Sequence, residues 1–568
     1  MKNALLLAVS LVLTLAVVEG AFRVREVVRE SRVDVENQFI RATNVRRVFE
    51  RATVDGEDLY VRTDLHWIPR WPRFQAEKDP DTFRVFCLGG SAAMGWPLAG
   101  EAAWPAWLER KLALLYPDRR IEVINAAGNT YASYRVKIVF DEVIEYEPDA
   151  IVVYSGNNEF LENAVYRPRH LDLAAGPADA GFVRSTALGR FVLGRLGLRR
   201  PPKRTIDVES YAARDMVANR LSFAFGRASA LRSDPEQFAT VVDHYVYNLE
   251  SMVRAGRERG VPVVLATVPV NLRDWHPNAS VHGVQDAADR EAFQEAYRAG
   301  VEALEAGRPA DAESALARAV RIDPAYAYAW YDLGLARLRL RRRREAKVAF
   351  QQALRNDAYP FRSLFDDQVR GVATREGAPL ADLTGVLGER AEDGILGFDL
   401  LLDYVHPTTE GHEIIAQEVL ETLAAHGHLP EGPALPLQAV RFDAPETELD
   451  WSALQGLYGQ VLVMRQYEVI EAFGARLRRA LVARTPGLSA RERGWNDDAI
   501  ERLDRSLRVV APYRDLLRAE RLGLLDERYT PEQAEAIFAD YAALIREMEG
   551  DGISDAEFAT YLPERTAR

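Results

Sequence analysis

The chain has 568 residues, which is too long for one hydrophobic core and predicts several domains. Its 48% hydrophobic and 28% charged residues are typical of a globular protein and exclude an intrinsically disordered one. A formal net charge of −13 gives no overall attraction to nucleic acid, and a single cysteine, Cys87, cannot form an internal disulfide.

The N-terminus carries an apolar run at 4–18, whose length suits the core of a signal peptide. Because Glu19 interrupts the natural place for a small-x-small cleavage site, we favour an uncleaved signal-anchor over 1–22, with the bulk of the chain translocated. Secretion after signal cleavage is the alternative. Arg23, Arg25 and Arg29 follow the run, so the positive-inside rule does not support export cleanly.

Residues 23–80 form a mixed, charged lead-in segment. It ends in the Trp- and Pro-rich stretch 66–74, which cannot be a regular helix because proline interrupts helical hydrogen bonding. We expect this stretch to lie over a domain surface.

From residue 81 onward, continuous apolar runs alternate with amphipathic helical patterns, which predicts an α/β fold with a parallel sheet covered on both faces. The predicted strands are 83–90, 121–128, 150–158, 261–270 and one within 378–387. The predicted helices are 103–117, 131–146, 239–260, 360–377 and 408–425. Ser91, Gly128 and Asn158 each follow the end of a predicted strand, where ligands bind on such sheets.

Two segments interrupt this alternation. Residues 160–237 are too long for a simple connection and suit a lid-like insertion. Residues 289–360 repeat with a period of 34, pairing Gly300 with Gly334 and Leu316 with Phe350, as two tetratricopeptide (TPR) repeats would. They form an all-α insertion that offers a surface for a protein partner. Because two repeats seldom fold alone, we expect the helix at 361–376 to cap them.

The α/β pattern resumes over 361–430, and residues 431–568 form a C-terminal helical region without evident chemistry. In the motif DYVHP (403–407), Asp403 and His406 are three residues apart, so one turn brings both side chains to one side. The carboxylate can then orient the imidazole as a base toward a hydroxyl group. The alternative is an N-cap aspartate beside a surface histidine.

Four blocks of the sequence, in order, resemble those of the SGNH (GDSL) hydrolases, and they look closest to bacterial members that carry TPR repeats. The blocks are LGGS (88–91), AAGN (126–129), YSGNNEF (154–160) and DYVHP (403–407). The resemblance covers 81–288 and 361–430 and implies a flavodoxin-like parallel sheet. Two positions depart from the family pattern, because Gly90 and Glu159 stand where the family has aspartate.

The resemblance also implies residue roles. Ser91 would be the nucleophile, His406 the general base and Asp403 the residue that orients it. The oxyanion hole would combine the backbone N–H groups of Ser91 and Gly128 with the side-chain amide of Asn158. This chemistry requires no cofactor and no metal. For Ser91 alone, an ordinary strand–helix turn with a serine N-cap is the competing interpretation.

The sequence therefore predicts a serine esterase or acyl hydrolase, anchored in the bacterial inner membrane with its bulk in the periplasm. The substrate would be an ester-bearing small molecule, lipid or polysaccharide. Two alternatives remain open: an O-acyltransferase that acts on a cell-surface polysaccharide, and a non-catalytic TPR scaffold.

Overall fold

The computed structural model describes residues 48–62, 73–98, 100–129, 131–160, 235–358, 362–442, 457 and 467–549. The predicted signal-anchor at 1–22 and nearly all of the predicted lid-like insertion, 161–234, lie outside these ranges. Within them, none of the helices combines the length and the apolar character that crossing a bilayer requires.

The lead-in segment forms a small antiparallel sheet that the sequence did not predict. Its strands are β1 Phe49–Val54, β2 Glu57–Arg62 and β3 Arg73–Gln75. Asp55 and Gly56 link the first two strands with positive φ angles of 53° and 86°, which suits a tight hairpin.

The main sheet has five parallel strands in the order β5-β4-β6-β7-β8, which confirms the predicted flavodoxin-like α/β class. These strands are β4 Thr82–Gly89, β5 Arg120–Asn125, β6 Ala150–Tyr154, β7 Val263–Ala266 and β8 Leu380–Ala381. Most are shorter than the apolar runs suggested, because the chain leaves the sheet and enters the loops that carry the polar motifs.

The described residues form fifteen α-helices. They are α1 Ser91–Met94, α2 Trp104–Leu115, α3 Ser133–Val143, α4 Pro235–Glu258, α5 Ala287–Glu305, α6 Pro309–Ile322, α7 Ala327–Arg339, α8 Arg343–Arg355, α9 Asp366–Glu376, α10 Leu383–Arg390, α11 Thr409–Ala425, α12 Tyr467–Arg484, α13 Ala490–Arg521, α14 Leu525–Arg528 and α15 Pro531–Glu549.

The main sheet is buried on both faces. Val85 and Cys87 point to the face covered by α2 and α11, whereas Phe86 and Leu88 point to the face covered by α3, α4 and α9. This alternation follows from the two-residue period of a strand, and it explains why β4 has no exposed position. A rigid, doubly covered strand therefore ends at Gly89, directly before Ser91.

The inserted helices α5 to α8 form two helical hairpins. A Cβ atom at Gly300 would lie 2.5 Å from Leu316 Cγ, and one at Gly334 would lie 2.6 Å from a ring carbon of Phe350. Only glycine permits helix approach this close, which gives a physical reason for the 34-residue spacing. Their assignment as TPR repeats stays a prediction.

The expectation that the helix at 361–376 caps the repeat is wrong. This helix is α9, and its Val369 and Val372 pack in the core beneath the main sheet. Its first residue, Asp366, accepts a hydrogen bond from Val268 N at 2.9 Å, which ties the helix to the end of β7. Phe350 of the second repeat instead shares a core with the C-terminal helices.

Candidate active site

Ser91 lies where β4 turns into α1. Gly89 has a φ of 155°, and a Cβ atom there would lie 2.0 Å from Tyr154 O, so the turn requires glycine. Ser91 is the first residue of α1, and the N–H groups of a first helical turn have no acceptor within the helix. The turn therefore presents the hydroxyl and the N–H of one residue at the same edge of the sheet.

His406 and Asp403 meet Ser91 at this edge, although 315 residues separate His406 from Ser91 in sequence. His406 Nε2 lies 2.9 Å from Ser91 Oγ, and His406 Nδ1 lies 2.6 Å from Asp403 Oδ2. The side chains of His406 and Asp403 are only 2% and 1% exposed. The structure thus brings together all three residues that the sequence analysis named as catalytic.

The hydrogen bonds around Asp403 set the orientation of the His406 imidazole and the nitrogen that carries its proton. Asp403 Oδ1 accepts from the backbone N–H groups of Val405 and His406, both at 2.8 Å. The other oxygen, Oδ2, is an acceptor, so it pairs with a proton on His406 Nδ1 and leaves the Nε2 lone pair facing the Ser91 hydroxyl. This arrangement can remove a proton from a serine hydroxyl.

Aromatic rings enclose the imidazole of His406. Trp96 meets it edge-on, with ring centroids 4.7 Å apart, and Tyr404 lies 5.9 Å away. Behind it lies His412, which is fully buried and accepts a hydrogen bond from Trp104 N at 3.3 Å. Burial, reinforced by the nearby His406, lowers the pKa of His412 to about 3, so this second histidine stays neutral.

Asn158 is the second predicted oxyanion donor that the structure places at the site. Its amide Nδ2 donates to Tyr131 O at 3.1 Å, and an amide nitrogen carries a further hydrogen for another acceptor. A Cβ atom at Gly90 would lie 2.5 Å from this nitrogen. Gly90, which replaces the family's aspartate, therefore lets the amide reach the turn that carries Ser91.

The predicted role of the Gly128 N–H group needs correction. It donates to Gly89 O at 3.0 Å, and Ala126 N donates to Cys87 O at 2.9 Å. The loop after β5 thus continues the hydrogen bonds of the sheet beyond the end of the strand. In this geometry the Gly128 N–H group is committed to the neighbouring strand and does not face a substrate.

Sequence reasoning missed two residues that shape this loop. Asn125 accepts from Ala127 N at 3.2 Å and donates to Met94 O at 3.0 Å, which ties the loop to α1. A polar asparagine in the middle of the apolar predicted strand 121–128 was a usable signal. Arg62 of the lead-in sheet donates to the carbonyls of Asn125 and Ala127 at 2.9 and 2.7 Å. Nothing in the sequence pointed to this distant arginine.

Glu159, the other departure from the family pattern, is buried beside Asn158. It accepts from the backbone N and the hydroxyl of Ser133, each at 2.8 Å. Ser133 begins α3, and a carboxylate is favourable at the N-terminus of a helix. The longer glutamate therefore fixes the residue next to Asn158. The described ranges contain no cluster of three or more His, Cys, Asp or Glu residues suited to a metal ion.

One family model and several solved structures are similar to the chain. Residues 87–327 match the profile of the GDSL-like Lipase/Acylhydrolase family. A GDSL-like lipase from Bacteroides thetaiotaomicron is 13% identical, with 62% of this chain and 93% of that chain covered and a TM-score of 0.26. An acetylxylan esterase from Geobacillus stearothermophilus is 13% identical, with 61% and 96% covered and a TM-score of 0.27. No curated protein matches the chain.

The family match ends before Asp403 and His406. The five-stranded parallel sheet agrees with this match. Residues 87–327 therefore carry a GDSL-like lipase/acylhydrolase domain, a type of domain that hydrolyses ester bonds.

Proposed function

We propose that this protein is a serine esterase in which Ser91, His406 and Asp403 act as a catalytic triad. The observation that carries the proposal is the unbroken hydrogen-bond chain from Ser91 Oγ through the imidazole to Asp403 Oδ2, with distances of 2.9 and 2.6 Å. A serine hydroxyl is a weak nucleophile, and a base within hydrogen-bond distance is what activates it.

In the first half of the reaction, Ser91 Oγ attacks the ester carbonyl carbon while His406 Nε2 takes the hydroxyl proton. The carbonyl oxygen becomes an oxyanion in the tetrahedral intermediate. When this intermediate collapses, the bond to the alcohol breaks, and His406 returns the proton to the leaving oxygen. An acyl-Ser91 enzyme and a free alcohol result.

In the second half, a water molecule replaces the alcohol. His406 Nε2 takes a proton from this water as it attacks the acyl carbon, and Ser91 leaves as a neutral hydroxyl after taking the proton back. The acid product is released. Asp403 keeps its negative charge throughout, and it stabilises the imidazolium that forms in each half.

The oxyanion hole in this proposal has two donors, the Ser91 N–H group and the Asn158 amide. The Ser91 N–H group lies in the first turn of α1, where backbone N–H groups have no acceptor within the helix. The Asn158 amide can approach the Ser91 turn because Gly90 has no side chain. Fixed donors stabilise developing charge without reorganising during the reaction. Gly128 has no part in this arrangement because its N–H group is bonded to Gly89 O.

The proposal includes a location and a substrate class. The apolar run at 4–18 supports an N-terminal anchor in the bacterial inner membrane, with the hydrolase domain in the periplasm. The substrate there would be an ester-bearing small molecule, lipid or polysaccharide. If full-length protein is released from membranes by carbonate without detergent, the anchor proposal fails and signal cleavage is favoured.

The catalytic proposal is tested by hydrolysis of p-nitrophenyl acetate and butyrate by the wild type, Ser91→Ala and Ser155→Ala. Ser155 is a matched control, because it is also a buried serine next to the sheet edge, and its hydroxyl has no hydrogen-bond partner among the described residues. We expect Ser91→Ala to lose at least about 10³-fold in kcat. Ser155→Ala should retain wild-type turnover. Equal hydrolysis by the wild type and Ser91→Ala would show that Ser91 is not the nucleophile.

A further inference from the structure

The inserted helices have one face that the chain itself covers. On α5 and α7 this face carries Gln294, Tyr297 and Tyr328, and we refer to it as the inner face. Gln294 Nε2 donates to Arg521 O at 3.0 Å, where α13 ends. Ala519 and Leu522 share a hydrophobic core with Tyr297 and are fully buried. Stacked helical repeats use such a face to bind partners, and here a C-terminal segment already lies on it.

The C-terminal helices also make charged and aromatic contacts at the inner face. The guanidinium of Arg521 lies 4.6 Å from the ring centre of Tyr328 and donates to Glu468 of α12 at 3.0 Å. Because the side chain of Arg521 is only 15% exposed, leaving it without Glu468 would be costly. The inner face is therefore complementary to α12 and α13 in both shape and charge.

The same C-terminal helices touch the loop that carries the imidazole. We define the acid–base loop as residues 402–406. Arg476 of α12 donates from Nη1 to Leu402 O at 3.1 Å, and Leu402 N in turn donates to His406 O at 2.7 Å. Phe473, one turn earlier on α12, shares a core with Leu402 and Tyr404 of the loop. Two successive hydrogen bonds therefore connect the guanidinium of Arg476, through the backbone of Leu402, to the backbone of His406.

We propose that the C-terminal helices are a built-in brace, seated on the inner face of the inserted helices, that holds the acid–base loop, with Arg476 as a positioning residue. This inference rests on the proposed triad. The natural occupant of the inner face is then the chain's own segment 467–529, and a separate protein could bind there only by displacing it.

The reason such a brace matters is geometric. Nucleophile and base must keep their separation within a fraction of an ångström, and a misplacement of about 1 Å can cost about 10²-fold in rate. Ser91 is fixed by the rigid β4 turn, whereas His406 lies on the connection between α10 and α11. A loop of this kind needs support from outside the sheet, and α12 supplies it.

The first test compares Arg476→Ala, Arg476→Lys and Arg478→Ala. Arg478 is the matched control, because it lies on the same helix and pairs with Asp504 at 3.0 Å, away from the loop. We expect Arg476→Ala to lower kcat about tenfold, with KM for p-nitrophenyl acetate unchanged. Arg476→Lys, which keeps a cationic donor, should recover most of the rate. The pH–rate profile of Arg476→Ala should also shift, since His406 has moved relative to Asp403.

The outcomes separate this inference from the proposed function. If Arg476→Ala keeps the kcat and pH profile of Arg478→Ala while Ser91→Ala is inactive, the brace is overturned and the triad stands. If Ser91→Ala is active, the proposed function fails, whatever Arg476 does.

A second measurement uses amide hydrogen exchange in the full-length protein to follow the packing of the C-terminal helices on the inner face. Leu522→Ala should weaken the packing of α13 on the inner face, and we expect faster exchange at 400–408 as well as in α13. Faster exchange confined to the C-terminal helices, with 400–408 unchanged, would contradict the coupling.

Discussion

Gly90 shows how one missing side chain shapes the site. A methyl group at this position would lie 2.5 Å from Asn158 Nδ2 and 3.1 Å from Tyr131 O, which are the two groups that form the amide's own hydrogen bond. Alanine could fit only if the Asn158 amide moved away from the turn. The absence of a side chain at Gly90 is therefore tied to the position of the Asn158 amide, the proposed oxyanion donor.

The variant Gly90→Ala should lower kcat by about 10- to 100-fold, somewhat less than the 10²–10³ typical of deleting a donor outright. Gly100→Ala is the control, because a Cβ atom there meets nothing within 4 Å. Ester hydrolysis by both variants measures the effect. Wild-type kcat in Gly90→Ala would show that Asn158 is not held as described.

His412 predicts a pH dependence of stability. Its folded-state pKa of about 3 is below the ordinary 6.5, so between these values the unfolded chain binds a proton that the folded chain does not. Its stabilising contribution is complete above pH 6.5 and is lost as the pH falls toward 3.

His412→Asn should remove this dependence. From pH 6.5 to 5, the wild type should lose about 1.5 kcal/mol more unfolding free energy than the variant. Urea unfolding at the two pH values measures the difference, and parallel losses in both proteins would contradict the assigned pKa.

At the level of single residues, the sequence located Ser91, Asn158, Asp403 and His406 because each follows a strand end or a recognisable short motif. It placed Gly128 wrongly, since backbone pairing beyond the end of a strand leaves no trace in residue type. Arg62 could not be found from sequence, because it reaches the site through a contact between distant segments.

Among the elements, the strands and helices of the α/β part were predictable from apolar runs and helical periods. The lead-in hairpin was not, because β1 is mostly exposed and lacks an alternating pattern. The role of α9 was also misjudged. Its apolar face could cover either the repeat or the sheet. The hydrogen bond between Asp366 and Val268, just after β7, holds it against the sheet.

Glu468 on α12 gives a prediction at this level. Burial raises its pKa, but Arg521, His276 and Arg518 together outweigh burial and lower the pKa to about 2. Because this is below the ordinary 4.5, the stabilisation is present above pH 4.5 and is lost as the pH falls toward 2.

Glu468→Gln should therefore reduce the free energy of unfolding at pH 7 by on the order of 3 kcal/mol, and by less at pH 3.5. The control is Glu471→Gln on the same helix, whose pair with Arg514 is more than half exposed on the glutamate side. Such a pair contributes about 0–1 kcal/mol. Denaturation at both pH values decides, and equal losses for the two variants would contradict the account.

Across the whole molecule, the chain order differs from the spatial order. Both β8 and the acid–base loop follow the inserted helices in sequence. Even so, β8 pairs within the sheet that begins at β4, and the loop brings His406 to Ser91. Resumption of the α/β pattern after residue 360 made this insertion predictable. The contact between the insertion and the C-terminal helices was not, because complementary surfaces far apart in sequence carry no common period.

The central claim is that Ser91 is a nucleophile activated by His406. The most direct measurement is labelling by a fluorophosphonate probe, with the modified residue located by peptide mass spectrometry in the wild type, Ser91→Ala and His406→Ala. We expect one adduct on Ser91 in the wild type, none in Ser91→Ala and much slower labelling in His406→Ala. An adduct elsewhere in the wild type, or equal labelling of all three proteins, would contradict it.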